Sequence, residues 1–456
     1  MHLYPNDFFN CLSRITNQLE ARKNILIISP HFPPSNLASV HRSRIFAKHL
    51  PAFGWSPIIL TIHEKFYEEE LDHNLEQLIP PSLRIEKVKA FPLSKPRIFG
   101  DTGLRGILYL YRTAKRIIKK EKIDFLYIPI PSFYPALLGR LLHRSTGIPY
   151  GIDYIDPWVH RFPGSDKFFS KHWLSTKIAK ILEPIAVRKA SLITGVAEGY
   201  YKGVQERNPL LENRCIFGAM PYGGEKDDHE RVKEIDIKPF LFKKEPGIIK
   251  LVYAGAMLPK AYEPLDRIFT SLRSRLDDFR NVQFHFIGTG KTPNDPNGYN
   301  VKALAEKYGL WGTSVFEYPK RIPYLDVLIH LNAADGVFIL GSTEPHYTPS
   351  KLYQAVLALK PILAVLNEKS SAVAILKQSD AGMVLDFNGE EGLNHIEKSF
   401  SNFLEQFIKW TENFNPSQIK LEIFNEYSAI SVTKKLADLL DSAIENGNKY
   451  NNKRIV

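Results

Sequence analysis

The sequence predicts an α/β protein built from two doubly wound, Rossmann-like domains. Three observations support this. Strand-sized apolar runs alternate with stretches of helical period, the alternation occurs twice with a turn-rich break between, and the length of 456 residues exceeds what one hydrophobic core sustains.

In the first half, Asn24–Ser29, Pro57–Thr61, Phe125–Pro129, Pro149–Tyr154 and Ser191–Val196 are short apolar runs bounded by polar or turn residues, as strands buried on both faces require. Helical patterns fall between them at Ser39–Leu50, Gly103–Glu121, Tyr134–His143 and Lys171–Lys189. From Met220 to Glu245 the chain carries Pro221, Gly223, Gly224, a charged run and Pro239 without an apolar period, which predicts a linker.

The pattern then restarts. Strands are expected at Lys250–Ala254, Val282–Ile287, Ser314–Tyr318, Gly336–Leu340, Pro361–Leu366 and Met383–Asp386. Helices are expected at Pro264–Leu276, Val301–Tyr308, Tyr324–Asn332, Lys351–Leu359 and Ala372–Gln378. The expected layout is an N-terminal extension over 1–23, a first domain over 24–222, a second over 223–410, and a helical tail over 411–456 that can return to the first domain. Phe8, Phe9, Leu12, Ile15 and Leu19 give the extension an amphipathic helical spacing, with Asn6 or Asp7 as a cap.

Composition narrows the function classes. A 44% hydrophobic and 24% charged chain is that of an ordinary globular protein, which excludes disordered and collagen-like readings. Cys11 and Cys215 provide neither a disulfide framework nor zinc spacing and fit a reducing compartment. No secretory leader pattern and no membrane-length apolar stretch is visible, so the cytoplasm is the expected location. The net charge of +11 leaves two readings open. Arg112, Lys115, Arg116, Lys119, Lys120 and Lys122 are either the solvated face of a helix whose Leu108, Leu110, Ile117 and Ile118 pack inward, or a contact for an anionic membrane or lipid-linked acceptor. Nucleic acid is not an expected partner, since no zinc spacing, RNP-type run or basic-region heptad accompanies the charge.

Ligands of open α/β sheets lie beyond the carboxyl ends of the strands, so two facing domains place the site in the cleft between them. The first strand runs into Ser29-Pro30-His31-Phe32-Pro33-Pro34-Ser35-Asn36, followed by a helix bearing Arg42. His31, Asn36 and Arg42 are candidates for a phosphate or an acceptor anion; an ordinary surface arginine fits Arg42 equally well. The loop lacks GxGxxG, which counts against NAD. The fourth strand runs out through Asp153-Tyr154-Ile155-Asp156-Pro157-Trp158. Asp153 is a further acceptor or phosphate candidate, and Asp156 is the candidate catalytic carboxylate, against the alternative of a turn cap.

In the second domain Gly255 permits close backbone approach and Lys260 supplies a point charge, while Gly288 and Gly290 end another strand. The strongest signal is Glu344-Pro345-His346-Tyr347-Thr348-Pro349-Ser350-Lys351-Leu352-Tyr353-Gln354. There Thr348 or Pro349 opens a helix, and Ser350, Lys351, free backbone N–H groups and the helix dipole converge on one anion, naturally a diphosphate.

These runs resemble the GT4-type retaining glycosyltransferases, which have the GT-B fold. The likeness spans about Asn24 to Asp386 and rests on the Pro349–Gln354 run with Lys360-Pro361-Ile362-Leu363-Ala364, on the Ser29–Pro34 loop, and on Met220-Pro221-Tyr222-Gly223-Gly224. The resemblance implies transfer of a sugar from a nucleotide-diphosphate donor, bound by the second domain, to an acceptor on the first, such as a cell-surface glycan or lipid-linked precursor, with retention of configuration. It assigns Ser350, Lys351 and Lys260 to the diphosphate, Gln354 to the nucleotide ribose, and Asp156 to the place of a polar active-site residue. Gly255, Gly288, Glu344 and Thr348 complete the expected donor set.

The sequence also departs from the family pattern. Gln354 replaces glutamate, Ala256 stands where an arginine commonly follows the glycine, and Glu344 lacks the usual seven-residue gap to Gln354. With lysines and a helix start facing the phosphates, no cofactor and no essential metal is expected. Two other classes remain open at this point: a nucleotide-sugar epimerase of the same fold, and a non-catalytic subunit, which Gln354 and Ala256 favour.

Overall fold

The computed structural model describes residues 22–93, 100–159, 167–235, 237–290, 292, 295–345 and 347–452. Nearly all of the expected N-terminal extension, with Cys11, and also His346 lie outside the described residues. The chain divides into two compact units. One comprises Met1–Glu68, Ile79–Met220 and Thr433–Val456, and the other Glu69–Leu78 and Pro221–Val432.

The first unit is built on seven parallel strands: β1 (Lys23–Ile28), β2 (Trp55–Ile62), β3 (Arg84–Val88), β4 (Phe125–Ile130), β5 (Tyr150–Tyr154), β6 (Leu192–Gly195) and β7 (Ile216–Ala219). Their order is β3-β2-β1-β4-β5-β6-β7, so the direction of winding switches between β1 and β4. Leu26, Ile28, Leu60, Ile128 and Ile152 are buried at the sheet centre, which is why these runs read as continuous apolar segments. Sequence reasoning omits β3 and β7, the two edge strands. β3 is Arg-Ile-Glu-Lys-Val, with charges that protect an edge but dilute the apolar signal. β7 contains Gly218, whose missing side chain leaves the space filled by Leu439 of the Ala429–Asn452 helix.

The Thr102–Lys120 helix buries Leu110, Ala114 and Ile117 and leaves Arg112, Lys115, Arg116, Lys119 and Lys120 outside. No helix among the described residues is long and apolar enough to cross a membrane.

The second unit carries β8 (Ile249–Ala254), β9 (Val282–Ile287), β10 (Val315–Tyr318), β11 (Gly336–Leu340), β12 (Ile362–Asn367) and β13 (Gly382–Phe387). The order β10-β9-β8-β11-β12-β13 puts its switch between β8 and β11, and every strand pair is parallel. The expected strands and the helices between them are all present, with ends shifted by a residue or two.

The expected linker needs correction. Lys226–Glu234 forms a helix inside it, and its buried positions are Asp228, His229 and Val232. Two of those three are polar, so no apolar period marked the helix. The Glu69–Leu78 segment was also not anticipated as part of the second unit. There Leu75 is fully buried, and the Asp72 carboxylate accepts the backbone N–H of Tyr324 at 2.6 Å, capping the Tyr324–Ala333 helix.

Candidate functional site

In a doubly wound sheet the crevice opens where the strand order reverses. In the second unit that point lies beyond β8 and β11, and the loops there are Gly255–Lys260 and Gly341–Ser350. These are the segments that carry the candidates Gly255, Lys260, Glu344, Thr348 and Ser350. The loops are tied together, since the N–H of Thr343 donates to the carbonyl of Lys260 at 3.2 Å, and Asn367 Nδ2 donates to the carbonyl of Thr343 at 3.2 Å.

Lys351 is the central residue of this arrangement. Its side chain runs back under the loop after β8, and its Nζ lies 3.5 Å from the centroid of the Tyr253 ring. The ammonium is buried and has no hydrogen-bond partner among the described residues. Desolvation with no compensating carboxylate pulls its pKa down to about 7. Tyr253 is held in place by its own hydroxyl, which donates to the carbonyl of Ala256 at 3.0 Å. Gly255 sits at φ 116°, and a Cβ there would stand 3.4 Å from Lys351 Nζ. A side chain there would therefore pack directly against the ammonium, which the glycine leaves uncovered on that side. A buried cation without a counter-ion is costly, and an incoming anion relieves that cost.

The other donor candidates separate into those that present groups and those that do not. Lys260 is exposed on the Pro259–Ala261 turn. Gly288, at φ 70°, donates its N–H to Tyr318 and turns the chain after β9. Glu344 is half-buried, and its N–H donates to Ser342 Oγ at 3.3 Å. Ser350 is exposed as the N-cap residue, and its hydroxyl makes no cap hydrogen bond.

The helix begins at Lys351 rather than at Thr348 or Pro349 and runs only to Leu357, so its dipole is weaker than that of the expected helix. Thr348 is a second correction: its hydroxyl is buried and shared with Ser371 Oγ at 2.7 Å, which makes it a loop fastener. Gln354 Oε1 stands 2.8 Å from His229 Nε2. Burial lowers the pKa of His229, so the neutral ring donates to the amide oxygen and leaves the Gln354 NH2 to donate elsewhere.

Two supporting residues had no sequence signal. His229 comes from the helix within the expected linker. Glu317, at the end of β10, accepts from Thr289 Oγ1 at 2.7 Å and from the backbone N–H groups of Asn300, Val301 and Lys302 at 2.9 Å each. Its carboxylate thereby fixes the loop after β9 and caps the Lys302–Lys307 helix.

In the first unit, Arg42 and Asp153 do not present their charges to a ligand. Both side chains are fully buried, with Arg42 Nε 2.6 Å from Asp153 Oδ2, and Thr194 Oγ1 donates to Asp153 Oδ1 at 2.7 Å. The acceptor or phosphate role expected for them is corrected to an internal pair across the sheet. His31 is largely buried and stacks on Tyr67 at 4.7 Å, and Asn36 Oδ1 meets His41 Nε2 at 2.8 Å.

Asp156 differs from these. It follows β5, its accessible surface is open, and Trp158 two residues on is buried against Phe133 with ring centroids 5.8 Å apart. Neighbouring chain nevertheless desolvates the carboxyl and raises its pKa to about 6. That value suits a group that exchanges a proton near neutrality.

A groove of about 620 Å³ lies between the Tyr262–Ser274 and Lys302–Lys307 helices, but Lys351 does not line it. Its ions are satisfied locally, Asp266 by Lys307 and Tyr308 and Arg267 by Glu397. The switch-point loops therefore remain the better candidate. No group of acidic, histidine or cysteine side chains suited to a metal occurs among the described residues.

No protein-family model matches the sequence, and no curated protein matches it. Solved structures do match over nearly the whole chain. The N-terminal domain of trehalose-6-phosphate phosphatase from Candida albicans aligns with a TM-score of 0.60 at 15% identity, covering 92% of this chain and 97% of that one. A glycosyltransferase from Rickettsia africae gives 0.59 at 15% identity, covering 93% and 99%. HepE from Anabaena in complex with UDP gives 0.56 at 15% identity, covering 92% and 100%. At such identities the likeness concerns architecture, and with two parallel-sheet units in this order the chain has the GT-B fold.

Proposed function

We propose that the chain is a glycosyltransferase that takes a sugar from a nucleotide-diphosphate donor and passes it to an acceptor hydroxyl with retention of configuration, as a relative of the GT4 enzymes. The observation that carries the reading is the buried ammonium of Lys351, without a partner among the described residues, behind Gly255 at the switch point of the second unit. Solved structures of the same fold add support, since HepE is described in complex with UDP and with UDP-glucose.

In this reading the bond between the anomeric carbon and the diphosphate oxygen breaks, and its electron pair leaves with the diphosphate. Lys351 meets the growing charge from its desolvated position, and exposed Lys260 adds a second cation. The Gln354 NH2, freed by the bond from His229 to its oxygen, donates to the ribose. The acceptor hydroxyl forms the new bond and gives up its proton, and Asp156 either takes that proton or steadies the positive sugar centre. Lysines do the electrostatic work that metals do elsewhere, so no resident metal is proposed. The acceptor is proposed to be a glycan or lipid-linked precursor reached from the cytoplasm.

A second reading has one observation behind it. Gln354 stands in place of the family's glutamate and is partly engaged by His229, as a subunit that binds nucleotide without turnover would tolerate. A panel of nucleoside diphosphates and sugar nucleotides in thermal shift, followed by release of nucleoside diphosphate, tests both. Stabilisation with release supports the transferase, stabilisation without release supports the silent subunit, and no stabilisation removes the donor site.

A further inference from the structure

We infer that the Phe168–Arg188 face of the first unit docks on an anionic lipid bilayer. The Lys171–Val187 helix packs Ala179, Leu182, Ala186 and Val187 on the core yet leaves a second apolar stripe outside. It buries Glu183, fully enclosed and paired with Arg207 at 2.7 Å, while Leu174, Ile181 and Ile185 are 54%, 65% and 49% exposed. Those three lie at intervals of seven and four residues, so they form one stripe about 16 Å long.

Just before the helix, Phe168 and Phe169 are 71% and 83% exposed. Their rings pack on each other and on Trp173, with centroids 4.6, 4.8 and 5.7 Å apart, forming an aromatic knuckle at the end of the stripe. Phe169 holds φ at 61°, a conformation that a bulky side chain adopts only at some cost. Its ring packs on Phe168 and Trp173 and is otherwise open to water.

The charge around the face selects the occupant. Lys167, Lys177, Lys180 and Arg188 are exposed and have no carboxylate partner among the described residues. Glu183 is the only carboxylate between Lys167 and Lys189, and it is buried. Phenylalanine, tryptophan and aliphatic residues on one face, flanked by lysines, are what a helix lying in the plane of an anionic headgroup layer requires. A second copy of the chain would bring the same cations against themselves, and the apolar stripe offers an acidic partner little to pair with. The Ala136–Thr146 helix, which packs against both, lies between this surface and the Thr102–Lys120 helix with its basic run.

The full chain should float with vesicles of equal parts phosphatidylglycerol and phosphatidylcholine, stay behind with phosphatidylcholine alone, and be released by salt. Phe168→Ser with Phe169→Asn should weaken vesicle binding about tenfold without lowering the melting temperature, since both rings are exposed and asparagine accepts the left-handed backbone. Ile181→Gln should act in the same direction and guards against a loop-specific effect. Lys177→Glu with Lys180→Glu should cost more than Lys119→Glu with Lys120→Glu. Equal loss in the two charge reversals, or binding indifferent to the aromatic changes, overturns the assignment. So does a dimer in sedimentation velocity, dissolved by the same variants, in a chain that ignores vesicles.

Discussion

Arg42 and Asp153 form a fully buried salt bridge beneath the loop that follows β1, with Nε to Oδ2 at 2.6 Å. A second guanidinium nitrogen reaches Oδ1 at 3.2 Å, and the guanidinium also lies 4.9 Å from the Phe46 ring. Removing one partner strands the other charge away from water, so Arg42→Met should destabilise the chain by about 3–5 kcal/mol. Arg42→Met with Asp153→Leu should recover most of that loss, because the orphaned carboxylate goes with its partner. Urea unfolding of both variants checks the ordering. An Arg42→Met chain as stable as the parent would show that the pair does not hold the loop.

Glu317 gives a similar test in the second unit. Its four acceptor contacts hold Thr289 and the start of the Lys302–Lys307 helix. Glu317→Leu should cost on the order of 3 kcal/mol by leaving buried donors unpaired. Glu317→Gln, which keeps one carbonyl, should cost less. Thermal denaturation in which glutamine is no better than leucine would contradict the capping account.

Asp156 makes a prediction in pH. Desolvation raises its carboxyl to about 6. If the reaction uses the carboxylate, turnover climbs through about pH 6 to a plateau, and Asp156→Asn abolishes that limb while lowering the plateau by roughly 10²–10⁴. Stability should move the opposite way. A carboxyl whose folded pKa lies above its unfolded value loses stability as pH rises between the two, so Asp156→Asn should hold or raise the melting temperature at neutral pH. A normal turnover in a well-folded Asp156→Asn chain assigns the residue to the turn alone.

Because lysines are proposed to meet the diphosphate, chelation with EDTA should leave release of nucleoside diphosphate largely unchanged. Loss of activity restored by magnesium or manganese would reveal a metal requirement.

The sheets were legible where strands are buried on both faces. β8 through β13 announce themselves as apolar runs between turn residues, and so do β1, β4 and β5. β3 was illegible because an edge strand is made of Arg84, Glu86 and Lys87 as much as of Ile85 and Val88. The Lys226–Glu234 helix was illegible because it buries Asp228 and His229, whose partners Tyr324 and Gln354 are remote in sequence. The same limit applies at the candidate sites. Spacing singled out Lys351, Gly255 and Asp156, but only packing shows that Lys351 is enclosed without a counter-ion among the described residues, whereas Arg42 already has Asp153. Local pattern identifies which residues carry charge; it does not tell which charges the fold has already neutralised.

Lys351 is where the account is most directly tested. Its folded pKa of about 7 lies below the ordinary lysine value, so the cost of burying the cation is fully present below about pH 7 and fades as pH rises toward the unfolded value. Lys351→Met should therefore raise the melting temperature of the ligand-free chain at about pH 6, while weakening binding of the nucleoside diphosphate that most stabilises the parent by roughly 10- to 150-fold, equivalent to about 1.5–3 kcal/mol. In the parent chain, calorimetric titration with that nucleoside diphosphate should show proton uptake on binding above about pH 7 and an affinity that falls as pH rises, since the diphosphate draws a proton onto the lysine. Those two signatures, proton uptake and a stabilised but binding-impaired Lys351→Met chain, are the predicted result. A nucleoside diphosphate affinity unchanged in a folded Lys351→Met chain, and independent of pH in the parent, would contradict the donor site.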